Sequence, residues 1–126
     1  MARLLVVDDD PDVVEAIRLF LEKDGHEVEH AYSREDGNKA IKAFSPDLLI
    51  LDVMMDQPDD GLVMARELRS DGFQTPILML TSISKVTGME FGKDSEMIPV
   101  DEFLEKPVDP KVLAEKVYSL LALKEG

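Results

Sequence analysis

The sequence predicts an α/β fold built on a parallel sheet, and three observations predict it. Strand and helix signals alternate along the chain. Two uninterrupted apolar runs, Leu4-Leu5-Val6-Val7 and Leu48-Leu49-Ile50-Leu51, have the composition of strands buried on both faces. Each run ends in carboxylates, Asp8 and Asp9 after the first and Asp52 after the second, at the strand ends where open parallel sheets form their crevice.

The elements follow in order. After the first strand, Asp10 is placed to cap a helix with Pro11 at its first position; Val14, Ile17, Phe20 and Leu21 recur at helical spacing until Gly25 stops it. A short second strand spans about Glu27 to Ala31. Ser33 and Asp36 form a capping pair for a second helix with Ala40, Ile41 and Phe44 on its apolar side, which ends before Ser45-Pro46. The third strand is Leu48 to Leu51. The third helix starts near Gly61 with Leu62, Ala65 and Leu68 inward, and after Asp71-Gly72 a fourth strand, Pro76 to Leu80, carries Thr81 at its end. Between Ser82 and Val100, Gly88, Gly92 and Pro99 punctuate apolar residues with no clean helical stripe, so the fourth helix is expected to be short, frayed or replaced by an irregular loop. A fifth strand, about Glu102 to Leu104, leads into Glu105-Lys106-Pro107. Asp109 caps the last helix before Pro110, and Leu113, Val117, Leu120 and Leu121 form its buried stripe.

With 126 residues and 44% apolar content, one domain over 1–126 suffices to bury a core. There is no cysteine, which excludes disulfides and thiolate metal sites. No stretch approaches the roughly 20 apolar residues of a membrane span, and Met1-Ala2-Arg3 enters the first strand without signal-peptide features, so the expected location is cytoplasmic. Acidic residues outnumber basic ones 27 to 14, a formal net charge of −13. That balance disfavours nucleic acid and anionic membrane and suits cations or basic protein surfaces. If the first and third strands are neighbours, Asp8, Asp9 and Asp52 converge, and their repulsion calls for a cation; a hard divalent ion such as Mg²⁺ is the natural occupant. His26 and His30 flank the second strand and are read as surface residues.

Four motifs occur in order: Val7-Asp8-Asp9-Asp10-Pro11, Leu51-Asp52-Val53-Met54-Met55 with a later Asp60-Gly61, Leu80-Thr81-Ser82, and Phe103-Leu104-Glu105-Lys106-Pro107. With them the whole chain resembles the receiver domain of two-component response regulators, including the stand-alone chemotaxis regulators. The resemblance implies a flavodoxin-like, doubly wound sheet of five parallel strands in the order 2-1-3-4-5. It implies that Asp52 accepts a phosphoryl group from a histidine kinase or histidine phosphotransfer protein. Asp8, Asp9, Asp52 and the backbone carbonyl of Met54 are implied as Mg²⁺ ligands, Asp8 through a water. Lys106 and Thr81 are implied to bind phosphoryl oxygens, with Thr81 and Phe103 moving together as the switch. Its implied partners beyond the kinase are a downstream protein target or an output domain outside this chain, and receivers of this kind also dimerise.

Departures from the family pattern bear on this reading. The loop Asp56-Gln57-Pro58-Asp59-Asp60 lacks the usual proline at the first of these positions and is one residue longer. The approach to strand five, Ser95 to Glu102, is atypical, and Phe103 stands where tyrosine is commoner. The alternative reading is a degenerate receiver that binds proteins without phosphorylation. An aspartate-nucleophile phosphatase of the haloacid-dehalogenase type would need an acid two residues beyond Asp52, where Met54 stands. A flavin carrier would need a neutral phosphate loop after strand one, where the acidic cluster stands.

Overall fold

A computed structural model describes residues 2–55, 60–82 and 100–125. Five strands, β1 (Arg3–Val7), β2 (Glu27–Ala31), β3 (Leu48–Asp52), β4 (Ile77–Ser82) and β5 (Glu102–Lys106), form one parallel sheet in the order β2-β1-β3-β4-β5. The order implied by the resemblance is therefore the order found. Four helices are present among the described residues: α1 (Pro11–Lys23), α2 (Arg34–Phe44), α3 (Asp60–Ser70) and α4 (Pro110–Glu125). The predicted irregular segment between strands four and five lies outside the described residues from 83 to 99, as do residues 56–59 of the atypical loop.

Side chains alternate across a strand, so each central strand feeds two cores. Leu4, Val6, Leu48, Ile50, Leu78, Leu80 and Leu104 pack with Val14, Ile17 and Leu21 of α1 and Leu113, Val117 and Leu120 of α4. Leu5, Val7, Leu49, Leu51, Ile77 and Met79 pack on the other side with Phe44 of α2 and Leu62, Met64 and Ala65 of α3. The complete burial of Leu4–Val7 and Leu48–Leu51 explains why those runs lack polar alternation. The edge strand β2 differs: Val28 and Ala31 are buried, whereas Glu27, Glu29 and His30 are exposed.

The predicted caps form. Asp10 accepts a hydrogen bond from the Asp12 amide at 2.9 Å, and Ser33 Oγ accepts one from the Asp36 amide at 3.1 Å. Gly25, just beyond α1, has φ +90°, a conformation that favours glycine. Directly after α2 stands Ser45, at φ 51° in the left-handed region, with its amide bonded to the Ile41 carbonyl. A serine there carries a Cβ penalty that glycine lacks. Ser45→Gly is expected to raise stability by about 0.5 kcal/mol after the entropy that glycine adds to the unfolded chain; an unchanged or lower midpoint in urea unfolding would refute this.

Three expectations change. β4 starts at Ile77 rather than Pro76 and runs through Thr81 to Ser82. β5 continues past Leu104 to Lys106, because pairing with Leu80, Thr81 and Ser82 of β4 extends it where its own sequence is too polar to suggest a strand. His26 is half-buried rather than a plain surface residue: its Nδ1 accepts a hydrogen bond from the Ala2 amide at 3.2 Å.

Candidate functional site

Strand register builds the site. Val7 of β1 lies opposite Leu51 of β3, so Asp8 and Asp52, each one residue farther on, emerge side by side at the carboxyl end of the sheet. By alternation Asp8 follows Val6, Asp52 follows Ile50 and Lys106 follows Leu104, so all three project toward the face covered by α1 and α4. Lys106 Nζ then stands 3.0 Å from Asp8 Oδ2 and 3.2 Å from Asp52 Oδ1. Asp8 is fully buried and Asp52 nearly so, whereas Asp9 is exposed. Asp8 Oδ1 accepts a hydrogen bond from the Asp10 amide at 2.9 Å, and Asp52 Oδ1 accepts a long one, 3.4 Å, from the Met54 amide. Asp9, Asp52, Met54 and Lys106 line a cleft of about 200 Å³.

Carboxylate oxygens of Asp8, Asp9 and Asp52 all come within 4.8 Å of one another. One lysine among three carboxylates leaves the cluster negative. Burial, and then the charge of Asp8, push the Asp52 carboxyl up to about 7, with Lys106 opposing the rise. Burial is also the largest single influence on Lys106 and pulls its ammonium down, yet the hydrogen bond and charge of Asp8, joined by Asp52, outweigh it and raise the pKa. Asp8 Oδ2 is buried, with the Lys106 ammonium 3.0 Å away as its close cationic neighbour. Three converging carboxylates that one ammonium does not neutralise, two of them buried, form an all-oxygen acidic cluster that fits a hard divalent cation such as Mg²⁺.

The structure thus brings Asp8, Asp9, Asp52, Met54 and Lys106 together. Thr81 is buried in β4 one residue beyond Leu80, the partner of Asp52, and opposite Glu105. Phe103 is half-buried on the opposite face of the sheet from Leu104, packed against the core cluster that contains Met79. Asp60, at the start of α3, lies 3.6 Å from Arg34 of α2. Sequence reasoning missed Gly61 as part of the site's framework. A Cβ on Gly61 would overlap the Asp52 carbonyl oxygen and crowd the Asp52 carbonyl carbon and the Val53 Cα; its amide also donates to the Val53 carbonyl at 2.9 Å. The Asp-Gly pair was the available signal, but only the fold reveals what the glycine touches.

A parallel sheet in the order 2-1-3-4-5, with acidic residues at the ends of its first and third strands and a lysine at the end of its fifth, defines the receiver class of signalling domains. The chain belongs to that family: the family model described as the response regulator receiver domain matches residues 4–118. Among curated proteins it is 33% identical over 98% of its length to the alkaline phosphatase synthesis transcriptional regulatory protein PhoP of Bacillus subtilis, and 37% identical over 96% to the transcriptional regulatory protein AfsQ1 of Streptomyces coelicolor. It is 40% identical over 94% to the response regulator MprA of Mycobacterium ulcerans. The chain spans about half the length of these relatives, 50%, 52% and 50% respectively. A crystal structure of a putative response regulator from Chloroflexus aurantiacus matches 96% of the chain, and 98% of that structure's chain is covered, with TM-score 0.82 and 33% identity. A CheY-like receiver domain protein from Methanospirillum hungatei matches with TM-score 0.81 and 26% identity, covering 99% of this chain and 97% of the other. Among the described residues, no helix is long and apolar enough to cross a membrane.

Proposed function

We propose that this receiver is phosphorylated on Asp52 by a phosphohistidine of a partner kinase or phosphotransfer protein, in the cytoplasm, and that the product alters its contacts with a downstream protein or output domain. The observation that carries this reading is the placement of Lys106 Nζ within 3.2 Å of both buried carboxylates, beside an acidic cluster suited to a divalent cation. In the transfer an Asp52 carboxylate oxygen forms a bond to phosphorus while the phosphorus–nitrogen bond to histidine breaks; the electron pair leaves with the imidazole, which takes up a proton. Asp8, Asp9, Asp52 and the Met54 carbonyl would hold Mg²⁺, which when bound neutralises charge on the transferring phosphoryl oxygens. Lys106 supplies a positive charge to another of those oxygens, held in place beforehand by its contacts with Asp8 and Asp52. The buried Thr81 offers a hydroxyl to a third, and its movement opens space toward which the Phe103 ring turns, the bistable element that a partner reads.

Intact mass after incubation with acetyl phosphate tests this. One added phosphoryl group is expected for the wild type with Mg²⁺, and none with chelator or for Asp52→Ala. Addition that survives Asp52→Ala, or no addition with Mg²⁺ present, would overturn the proposal.

A further inference from the structure

At the opposite end of the sheet from the acidic cluster, Arg69 near the end of α3 makes a compact set of contacts. Its Nη1 donates to the carbonyls of Phe73 at 2.7 Å and Thr75 at 2.9 Å, and its Nη2 reaches Asp101 Oδ2 at 2.9 Å. The same Asp101 oxygen accepts from the Ile77 amide at 2.8 Å, while the Asp101 amide donates to the Ile77 carbonyl at 3.0 Å. An isolated ion pair this exposed contributes little. Here the pair is tied into the backbone just where β4 begins and one residue before β5, so its geometry is fixed by more than charge.

β5 needs such a tie. Among the described residues it pairs on one side only, with β4. A one-residue slip would move every side chain to the other face. Hydrophobic patterning resists that slip weakly, because Phe103 and Leu104 are both apolar and each face offers an apolar cluster, one taking Leu104 and the other Phe103. For Lys106 the slip is decisive: it would leave the face that carries Asp8 and Asp52.

We infer that Arg69 and Asp101 are positioning residues for Lys106, fixing the register of β5 from the far end of the sheet and so delivering the ammonium to Asp8 and Asp52. This rests on the receiver chemistry proposed above. The clamp acts over the length of β5, about 16 Å at the usual rise per residue, and through no contact of its own with the site.

Asp101→Asn and Arg69→Gln test it in the full chain. Amide hydrogen exchange in peptides covering residues 103–106 is expected to quicken about tenfold relative to wild type, while α1 is unchanged. With acetyl phosphate and Mg²⁺, the slope of phosphorylation rate against donor concentration is expected to fall about fivefold, the loss on the order of misplacing a catalytic group slightly. In a Lys106→Ala background the same substitutions should cost nothing further, since there is no ammonium left to position. Equal losses in both backgrounds, or unchanged exchange at 103–106, would overturn the inference. If Asp101→Asn does not fold, Arg69→Gln, which leaves the Asp101–Ile77 bonds in place, carries the test. Should the wild type take no phosphoryl group, the proposed function falls while the exchange measurement still decides the role of the clamp.

Discussion

Asp52→Asn is expected to stabilise the protein in the absence of divalent ions, by about 2 kcal/mol at pH 8. Burial, assisted by the Asp8 charge, raises the Asp52 carboxyl from an unfolded value of 3.8 to about 7. Between those values the folded protein binds a proton that the unfolded chain has released. Stability from this group is therefore complete below pH 4 and is lost as pH climbs through 7, the reverse of an ion-paired surface aspartate. Asparagine keeps the shape, removes the charge and leaves Lys106 its 3.0 Å contact with Asp8. Urea unfolding in chelator from pH 5 to pH 8.5 measures the effect: the variant's advantage should grow with pH, and Mg²⁺ should shrink it by stabilising the wild type more than the variant. A variant less stable than wild type at pH 8 in chelator would show that Asp52 is not held against its own charge.

Gly61→Ala is expected to be among the most damaging single-methyl changes in the molecule. The added carbon meets the carbonyl group of Asp52 and the Cα of Val53, backbone atoms that cannot rotate away, so the start of α3 must back off from the end of β3. We expect a loss of about 3 kcal/mol. Because the displaced atoms belong to Asp52, the residue proposed to accept the phosphoryl group, the rate of phosphorylation should fall about a hundredfold, the usual result of moving reacting groups by an ångström. Gly37→Ala is the control. A Cβ there would approach the flexible end of Met64 and the methyls of Val7 at 3.1 Å, side-chain rather than backbone neighbours, within a helix that favours alanine. A stability change below about 1 kcal/mol is expected there. Urea unfolding of both variants decides the matter; similar costs at the two glycines would remove the distinction between backbone and side-chain neighbours.

How much could be read before the fold was known varied from element to element. β1 and β3 were legible because strands buried on both faces have no polar alternation, and their terminal acids marked the crevice end. The caps at Asp10 and Ser33 were legible because their chemistry is local. β5 was read too short, since Glu-Phe-Leu-Glu-Lys becomes a strand through its pairing with β4 rather than through its own pattern. Met64 was missed on α3 because α3 buries both Met64 and Ala65 beside Gly61 and Leu62, a wider stripe than the spacing suggested. The acidic cluster was assembled correctly on paper once the strand order was granted, and the proximity of Lys106 to it came with the family resemblance. The Arg69–Asp101 clamp had no signature at all: two ordinary charges, far apart in the chain, meet only because β4 and β5 are neighbours.

The distance along the chain between Asp8 and Lys106 has a consequence for biosynthesis. As the polypeptide leaves the ribosome, β1, β2 and β3 are available long before β5, and docking β1 against β3 places Asp8 beside Asp52 with no ammonium yet made to offset them. Early collapse of the half-finished sheet is thus penalised by its own charges until the last strand arrives or a divalent ion substitutes for it. Completion of the sheet and completion of the acid–lysine cluster coincide, and without Lys106 the docked carboxylates must repel each other or hold a proton at Asp52.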